Sequence, residues 1–173
     1  MPELIAPTAR LESSWRAARE EWPGAHQDGT GLRLAETVET AEGFTAWVEL
    51  LNRQSDPLLP LGEGAVHADY WWMVDGDRYL GAIDLRHELT PFLLEAGGHV
   101  GYSVRPSARG RGLAAWALSQ VLPQAARRGL DRVLVVCAEE NIASARTIER
   151  NGGVLEDVRS TSTGVKRRYW IPT

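Results

Sequence analysis

The stretch from residue 99 to residue 118 constrains the fold most, because its pattern changes from strand to helix across a glycine-rich turn. Val100–Val104 is a short run of β-branched and aromatic residues, typical of a strand, and Pro106 ends it because proline has no N–H to give to a ladder. After Gly112, apolar residues recur at the spacing of one helical face as far as Ala125. The sequence therefore predicts a strand, a glycine-rich turn and a helix in immediate succession.

This turn predicts an anion site. The first N–H groups of a helix have no partner within it, and the helix dipole adds partial positive charge at the same end. Gly110 and Gly112 have no Cβ, so an anion can approach the backbone closely, and Arg109 and Arg111 add fixed charge. Together these features predict a cradle for a diphosphate.

Several kinds of site share such a turn. A P-loop needs Gly-Lys-Ser/Thr after four spacer residues, and this stretch has none. A Rossmann dinucleotide-binding turn is weakened but stays open, because Ala115 stands in place of the third glycine and the fingerprint tolerates alanine there. A purely structural interpretation, a helix that begins with glycines for tight packing, also stays open.

The composition predicts one globular domain that spans residues 1–173. Hydrophobic residues make up 43% of the chain and charged residues 24%, values that are ordinary for a soluble globular protein. No apolar run approaches the roughly 18 residues that a membrane span needs. The first residues lack the basic and long apolar regions of a secretion signal. We therefore expect no membrane partner and a cytoplasmic location.

The net charge and the single cysteine limit the classes of partner and the cellular compartment that we expect. A net charge of −4 argues against nucleic acid as the main partner and suits a cationic substrate such as an amine. Cys137 is the only cysteine, so no internal disulfide can form, which fits a reducing compartment. It ends an apolar run with no neighbouring His, which predicts a buried small hydrophobic residue rather than a nucleophile. No cluster of His, Cys and Asp shows metal-ligand spacing, so no metal is expected.

Helical and strand periodicities alternate along the chain. The predicted helices cover about residues 8–21, 40–53, 112–128 and 141–150. The predicted strands cover about residues 3–6, 69–74, 78–85, 100–104, 132–137, 154–159 and 167–171. The run 132–137 is continuously apolar, as parallel strands are, so a right-handed crossover is expected over 100–137. In the central strand, alternation places residues 99, 101 and 103 on one face and residues 100, 102 and 104 on the other.

Two motifs in this order resemble the GCN5-related N-acetyltransferase (GNAT) family. Arg109, Gly112 and Ala114 match its pyrophosphate signature, Gln/Arg-x-x-Gly-x-Gly/Ala, and Pro106 stands where the family's preceding strand ends in Val-x-Pro. The family's Asn-x-x-Ala/Ser, which opens the next helix, is matched at residues 141–144. The resemblance covers about residues 69–171. Three stretches further resemble an uncharacterised branch of the family, namely 85–89, 97–102 and 168–170.

The resemblance implies a mixed α/β fold. Its sheet is mostly antiparallel, its fourth and fifth strands run parallel and splay apart, and helices flank it, with acetyl-CoA as cosubstrate in the wedge. The central strand's backbone would pair with the pantetheine amides, and the N–H groups of residues 109–114 would hold the pyrophosphate. For Asn141 the alternative is a plain helix cap, and the two roles can coexist. The residues expected to bind acetyl-CoA are Tyr102, Val104, Arg109, Gly110, Arg111, Gly112, Leu113, Ala114, Asn141 and Ser144.

The resemblance also implies the chemistry, a direct attack of an amine on the thioester in a ternary complex. The amine, with a pKa of about 10, must lose a proton before it attacks, and the departing CoA thiol gains one. The family's usual proton donor, a Tyr seven residues after the Asn, is replaced here by Ile148. Tyr169 and Tyr102 are the candidate replacements, with core packing as the alternative role of both. His99 is the preferred base, because imidazole is neutral at pH 7 and some members place a carboxylate base near this position.

The acceptor is defined less sharply. His87 and Glu88, at the end of the preceding strand, are rival bases, and with Trp72 they are the residues expected to contact the substrate. The resulting prediction is an acetyl-CoA-dependent N-acetyltransferase that acts on a primary amine of a small molecule or peptide. The alternative is a non-catalytic acyl-CoA-binding sensor or interaction protein on the same fold. Terminal strands often mediate dimers in the family, which leaves a homodimer open.

Overall fold

The computed structural model describes residues 1–22, 24 and 26–173 and is built on one seven-stranded sheet with the order β1-β2-β3-β4-β5-β7-β6. The strands are β1 (Glu3–Ile5), β2 (Ala68–Asp75), β3 (Arg78–Arg86), β4 (Val100–Val104), β5 (Arg132–Ala138), β6 (Val154–Thr161) and β7 (Gly164–Pro172). The helices are α1 (Glu12–Glu20), α2 (Ala41–Arg53), α3 (Leu113–Arg127) and α4 (Ile142–Arg150). A short π-helical turn, Leu93–Gly97, leads into β4.

Every neighbouring pair of strands is antiparallel except β4 and β5, which run parallel. This confirms the predicted mixed sheet with a single parallel pair at its centre. The crossover from β4 through α3 to β5 lies where the change of periodicity predicted it. The final hairpin is longer than predicted, because β6 continues to Thr161 and β7 already begins at Gly164.

One face of the sheet is covered by α1 and α2 through a core of interlocking aromatic rings. The Trp15 ring centre lies 5.0 Å from that of Phe44 and 5.2 Å from that of Trp47. Trp72 from β2 completes the group, with its ring centre 6.2 Å from that of Phe44, and it is 1% exposed. The prediction that Trp72 contacts the substrate is therefore wrong, because its side chain is enclosed in this core.

The opposite face carries an aliphatic core beneath α3 and α4. Small side chains of α3, such as Ala117 and Ala125, let the helix approach the sheet closely, and Ile148 from α4 fills the space beside them. Val100, Tyr102 and Val104 of β4 all pack on this side, whereas Gly101 faces the side of α1 and α2. The predicted alternation along β4 is thus confirmed, and it fixes which β4 side chains lie on each side of the site.

Candidate active site

A wedge opens between β4 and β5. The two strands pair at a single position, Val100 opposite Val135, and diverge beyond it. At the two ends of β4, the bonds to β3 are made by odd-numbered residues. The carbonyl of His99 accepts from the N–H of Arg86, and the N–H of Arg105 donates to the carbonyl of Leu80. Because alternate residues of an antiparallel strand face its partner, the even-numbered Tyr102 turns its backbone N–H and C=O toward β5 instead. The wedge is therefore bordered by an unpaired strand edge.

His99 closes the narrow end of this wedge. Its N–H donates to the carbonyl of Leu134 (2.7 Å), and the N–H of Leu134 donates to its Nδ1 (2.9 Å). With Nδ1 accepting, the neutral ring carries its hydrogen on Nε2. Burial, assisted by the Arg86 guanidinium, lowers the pKa of His99 to about 4. At neutral pH the ring has no free lone pair for an amine proton, so the geometry does not support His99 as the base and gives it a structural role.

A cavity of about 1060 Å³ fills the wedge and extends to both faces of the sheet. We call its two walls the α4 side and the loop side. The α4 side consists of Tyr102, Cys137, Asn141 and Ser144. The charged residues of the loop side are Asp28, Arg33, Arg86 and Lys166, and apolar residues of the turn before β4, such as Phe92 and Leu93, also line the cavity. Three of the residues predicted to bind acetyl-CoA, Tyr102, Asn141 and Ser144, thus line the cavity, whereas Val104 and residues 109–114 lie outside it.

The α4 side is held together by short-range hydrogen bonds around Ser144. The Asn141 side chain caps α4, with its Oδ1 accepting from the N–H of Ser144 (3.0 Å). The hydroxyls of Tyr102 and Ser144 lie 2.7 Å apart. Burial raises the pKa of the Cys137 thiol, which lines the same wall. Cys137 is buried as predicted, and its thiol is the weakly nucleophilic protonated form at neutral pH.

Only one of the two candidate proton donors reaches the cavity. Tyr169 is 1% exposed, and its hydroxyl donates to Oε1 of Glu149 (3.1 Å), away from the cavity lining. Ile148, which stands where the family's tyrosine is expected, is fully buried in the aliphatic core. Tyr102 lines the cavity, its hydroxyl lies 2.7 Å from that of Ser144, a second lining residue, and burial raises its pKa. The geometry therefore favours Tyr102 over Tyr169.

The glycine-rich turn leaves backbone N–H groups free at the start of α3. Gly110 and Gly112 have φ angles of 75° and 76°, which favour glycine. No side chain caps α3, and its first turn holds no acidic residue. Within residues 1–22, 24 and 26–173, the amides of residues 110–115 donate to no protein acceptor, and the first bond is Trp116 N–H to the Gly112 carbonyl (3.0 Å). This turn forms an open, uncapped N-terminus beside the wide end of the wedge.

Arg109 departs from its predicted role. Its amide donates to the Pro106 carbonyl (3.2 Å), so it is not free for a phosphate. Its Nε donates to the Val104 carbonyl (3.0 Å), and its guanidinium carbon lies 5.9 Å from the Trp22 ring centre. Arg109 thus holds the turn against β4 and α1, while Arg111 remains exposed.

On the loop side, a buried ion pair lies directly over β4. Asp84 is 2% exposed, and its Oδ1 accepts from the N–H of Gly101 (2.7 Å) while its Oδ2 lies 3.2 Å from Nη2 of Arg86. Burial raises the pKa of Asp84. A Cβ on Gly101 would lie 3.0 Å from both partners and 2.9 Å from the N of Gly29, so glycine is required there. The sequence signal for this pair is one acidic residue inside the apolar run of β3.

A second cavity, of about 300 Å³, adjoins the first on the loop side. It is lined by the segment 26–33 together with Tyr70, Asp84 and Arg86, and it shares His26, Asp28, Arg33 and Arg86 with the larger cavity. The loop side is therefore a continuous charged region, to which the segment between α1 and α2, strand β3 and strand β7 all contribute side chains.

The other two residues predicted to contact the substrate, His87 and Glu88, lie away from both cavities. Nε2 of His87 lies 3.0 Å from Oδ2 of Asp69, a carboxylate that Arg128 also binds at 2.5 and 2.7 Å. Glu88 is exposed, and neither His87 nor Glu88 lines either cavity. Both are predicted, as rival bases at the end of β3, to contact the substrate. His87 instead points to the end of α3, so neither residue is placed to contact a substrate in these cavities.

Two kinds of feature are absent from the described residues. None of their helices combines the length and the apolar character that crossing a bilayer takes. The same part of the chain holds no group of three or more His, Cys, Asp and Glu side chains suited to a metal ion.

The architecture is shared with solved acetyltransferase structures. The microcin C7 self-immunity acetyltransferase MccE, in complex with acetyl-CoA and AMP, is similar with 13% identity and a TM-score of 0.68, over 99% of this chain and 92% of that one. RimL, a ribosomal L7/L12 α-N-protein acetyltransferase in complex with CoA, has 18% identity and a TM-score of 0.69, over 99% and 93%. The ribosomal-protein-S5-alanine acetyltransferase from Vibrio fischeri has 19% identity and a TM-score of 0.64, over 99% and 91%.

The likeness to these structures shows the fold alone, and no curated protein sequence matches this chain. The sequence itself matches the family model for the acetyltransferase (GNAT) domain over residues 25–154, which include the wedge, the uncapped start of α3 and both cavity walls except Lys166. The chain therefore belongs to the GNAT acetyltransferase family.

Proposed function

We propose that this chain is an acetyl-CoA-dependent N-acetyltransferase that acetylates a primary amine of a small molecule or peptide by direct attack in a ternary complex. The observation that carries the proposal is the unpaired edge of β4, which faces the cavity and leads to the free amides at the start of α3. A pantetheine arm has amides that can bond to such an edge, and a diphosphate suits an uncapped helix N-terminus. MccE and RimL, whose structures hold acetyl-CoA and CoA, support the same ligand.

The residues present fit acetyl-CoA. The backbone of Tyr102 would hold the pantetheine, the amides of residues 110–115 would hold the diphosphate, and the free amide nitrogen of Asn141 would reach the arm from the α4 side. When bound, the thioester supplies an activated acetyl group. No carboxylate lies in the first turn of α3, so the helix dipole there is not offset by a protein anion.

Tyr102 is the proposed proton donor to the departing thiol. Its hydroxyl lies on the cavity wall, fixed by Ser144 at 2.7 Å. Burial raises its pKa, so the phenol keeps its proton at neutral pH and is available as an acid. The fully buried Ile148 has no proton to give.

Asp84 is the proposed acceptor of the amine proton, through water. It lies over β4 on the loop side, opposite the α4 side that would hold the thioester. Burial raises its pKa, which brings a carboxylate closer to the operating pH of a general base. Arg86, paired with Asp84, orients the carboxylate.

Two measurements test the proposal. Calorimetry with acetyl-CoA should show one binding site per chain, and a CoA-release assay across polyamines, amino acids, aminoglycosides and peptides should show turnover with at least one class. Binding without turnover of any class would favour the non-catalytic acyl-CoA-binding alternative. Absence of binding would contradict both functions.

A further inference from the structure

The loop side carries more positive than negative charge. Asp84 and Arg86 neutralise each other, whereas Asp28, whose Oδ1 lies 2.9 Å from Nε2 of His26, contributes one negative charge. Two further cations line the cavity there, Arg33 and Lys166. Neither has a carboxylate within salt-bridge distance in residues 1–22, 24 and 26–173, and the two residues beyond those ranges carry no carboxylate.

Arg33 stands at the junction of the two cavities, because it lines both. It is the middle residue of a 3-10 turn, Leu32–Leu34, whose two leucines pack against the aromatic core. This arrangement turns the Arg33 side chain outward to the cavities, where it is exposed and makes no hydrogen bond to the described residues.

The segment that carries Arg33 is anchored at two points. The Trp47 indole N–H donates to the Gly31 carbonyl (3.1 Å). Gly29 lies against β4 so closely that a Cβ there would come within 2.3 Å of the Gly101 carbonyl oxygen. Both anchors hold the backbone of this segment against α2 and β4, so the Cα of Arg33 has a defined place beside the two cavities.

We propose that the acceptor is an amine that also carries an oxyanion, a carboxylate or a phosphate, and that Arg33 binds this oxyanion with Lys166 adding to the positive field. This inference rests on the proposed function and names its substrate class. A guanidinium recognises either oxyanion through two parallel N–H donors. The amine of the same molecule then lies toward Asp84 and the wedge.

The same charges disfavour polycationic acceptors. A polyamine or aminoglycoside would place several ammonium groups beside Arg33, Arg86 and Lys166, and it would find only one exposed carboxylate among the lining residues, Asp28. The net charge of −4 over the whole chain suits a cationic substrate, but the acids that produce it lie mostly outside the cavities. The local charge is therefore the better guide to the acceptor.

Matched acceptors test this proposal in the CoA-release assay. Leucine is compared with leucinamide and 3-methylbutylamine, O-phosphoethanolamine with ethanolamine, and spermidine serves as the polycation. In at least one set, the member with the oxyanion should have a kcat/KM about 10-fold or more above that of its counterpart without the oxyanion. The set that shows the preference identifies carboxylate or phosphate. Preference for spermidine, or no preference within either set, would overturn the inference while leaving the proposed function in place.

Variants assign the effect to Arg33. Arg33→Gln should raise KM, and so lower kcat/KM about 10-fold, for the acceptor that carries the oxyanion. The kcat/KM for the acceptor without the oxyanion and the affinity for acetyl-CoA should not change. Arg53→Gln, at an exposed arginine in the last turn of α2 that lines neither cavity, is the matched control and should change nothing. Equal losses for both acceptors with Arg33→Gln would contradict the assignment. Calorimetry of leucine and O-phosphoethanolamine with the CoA-loaded protein repeats the comparison without turnover, so the inference is tested even if catalysis is absent.

Discussion

The two walls of the wedge cavity differ in chemistry and in origin. The α4 side presents neutral hydroxyl and amide groups, and the bond between the hydroxyls of Tyr102 and Ser144 joins β4 to the start of α4. The loop side presents full charges from three separate parts of the chain, namely the segment between α1 and α2, strand β3 and strand β7. The difference indicates that one wall suits a constant ligand, bound largely through backbone groups. The other wall suits a variable ligand, selected by charged side chains.

The largest expected effect tests whether backbone groups carry the constant ligand. Gly112→Asp puts an anion and a strained backbone at the start of α3, where φ is 76°. Loss of two charge-assisted bonds should weaken acetyl-CoA binding about 100-fold or more, measured by calorimetry.

The matched control lies at the other end of the same helix. Gly129→Asp introduces the same side chain at a glycine with φ of 81° and open space around it, so it carries the same strain without touching the turn. It should leave acetyl-CoA affinity within about twofold. Equal losses in the two variants would show that strain, and not the free amides, explains the result.

The second prediction concerns the point where the two walls meet, at His99. Its folded-state pKa of about 4 lies below the usual 6.5, so the unfolded chain binds more protons between those values and acid destabilises the fold. His99→Asn keeps a hydrogen-bond acceptor for Leu134 N–H but does not titrate. The stability advantage of the wild type over this variant should shrink by about 3 kcal/mol as the pH falls from about 7 to about 4.

Urea denaturation at several pH values measures this difference. Acidic groups titrate alike in both proteins, so the pH dependence of the difference reports His99 alone. A difference that stays constant across the range would mean that the ring titrates normally and is not locked in its neutral form.

The third prediction tests the hydroxyl of the α4 side. Tyr102→Phe should lower kcat about 10- to 100-fold and leave the affinity for acetyl-CoA unchanged. The expected loss is small for an acid catalyst because a thiolate leaves readily even without a proton donor. Tyr169→Phe is the control, since its hydroxyl bonds to Glu149 outside the cavity. Similar losses of kcat in both variants would point to packing, and an unchanged kcat in Tyr102→Phe would show that the thiolate leaves without assistance.

The smallest expected effect separates the two roles of Asn141. Asn141→Ser keeps an oxygen that can cap α4 but loses the amide nitrogen. Thermal stability should stay within about 0.5 kcal/mol, and acetyl-CoA binding should weaken about 5-fold, the value of one neutral hydrogen bond. Asn141→Ala should lose about 1 kcal/mol of stability as well. Wild-type binding by Asn141→Ser would reduce the residue to a helix cap.

The same contrast explains what the sequence could predict. The strand, turn and helix over residues 100–127 follow from local periodicity, and so do the free amides of the turn. Arg109 was misassigned in one respect, because the 3-10 turn that occupies its amide has no clear pattern of its own. Family resemblance supplied the splay of β4 and β5, which local spacing alone does not encode.

The loop side could not be assembled from the sequence in the same way. Asp84 and Arg33 are about fifty residues apart, and only the sheet register and the path of the segment between α1 and α2 bring them to one cavity. The position of Trp72 could not be predicted for a related reason. The strand pattern does not specify which face of the sheet its side chain occupies, and α1 and α2 cover that face. His99 looked chemically suited to a base, but a backbone N–H from β5 occupies its acceptor nitrogen.

The contact between Gly29 and Gly101 has a consequence for how this site can change. Main chain meets main chain there without an intervening side chain, so the course of the loop cannot drift while β4 keeps its place. Insertions or larger residues at Gly29 or Gly101 would separate the loop from β4. Flanking positions such as Asp28 and Arg33 are free of that restriction. New acceptor preferences can therefore arise by single substitutions on a backbone that stays where it is.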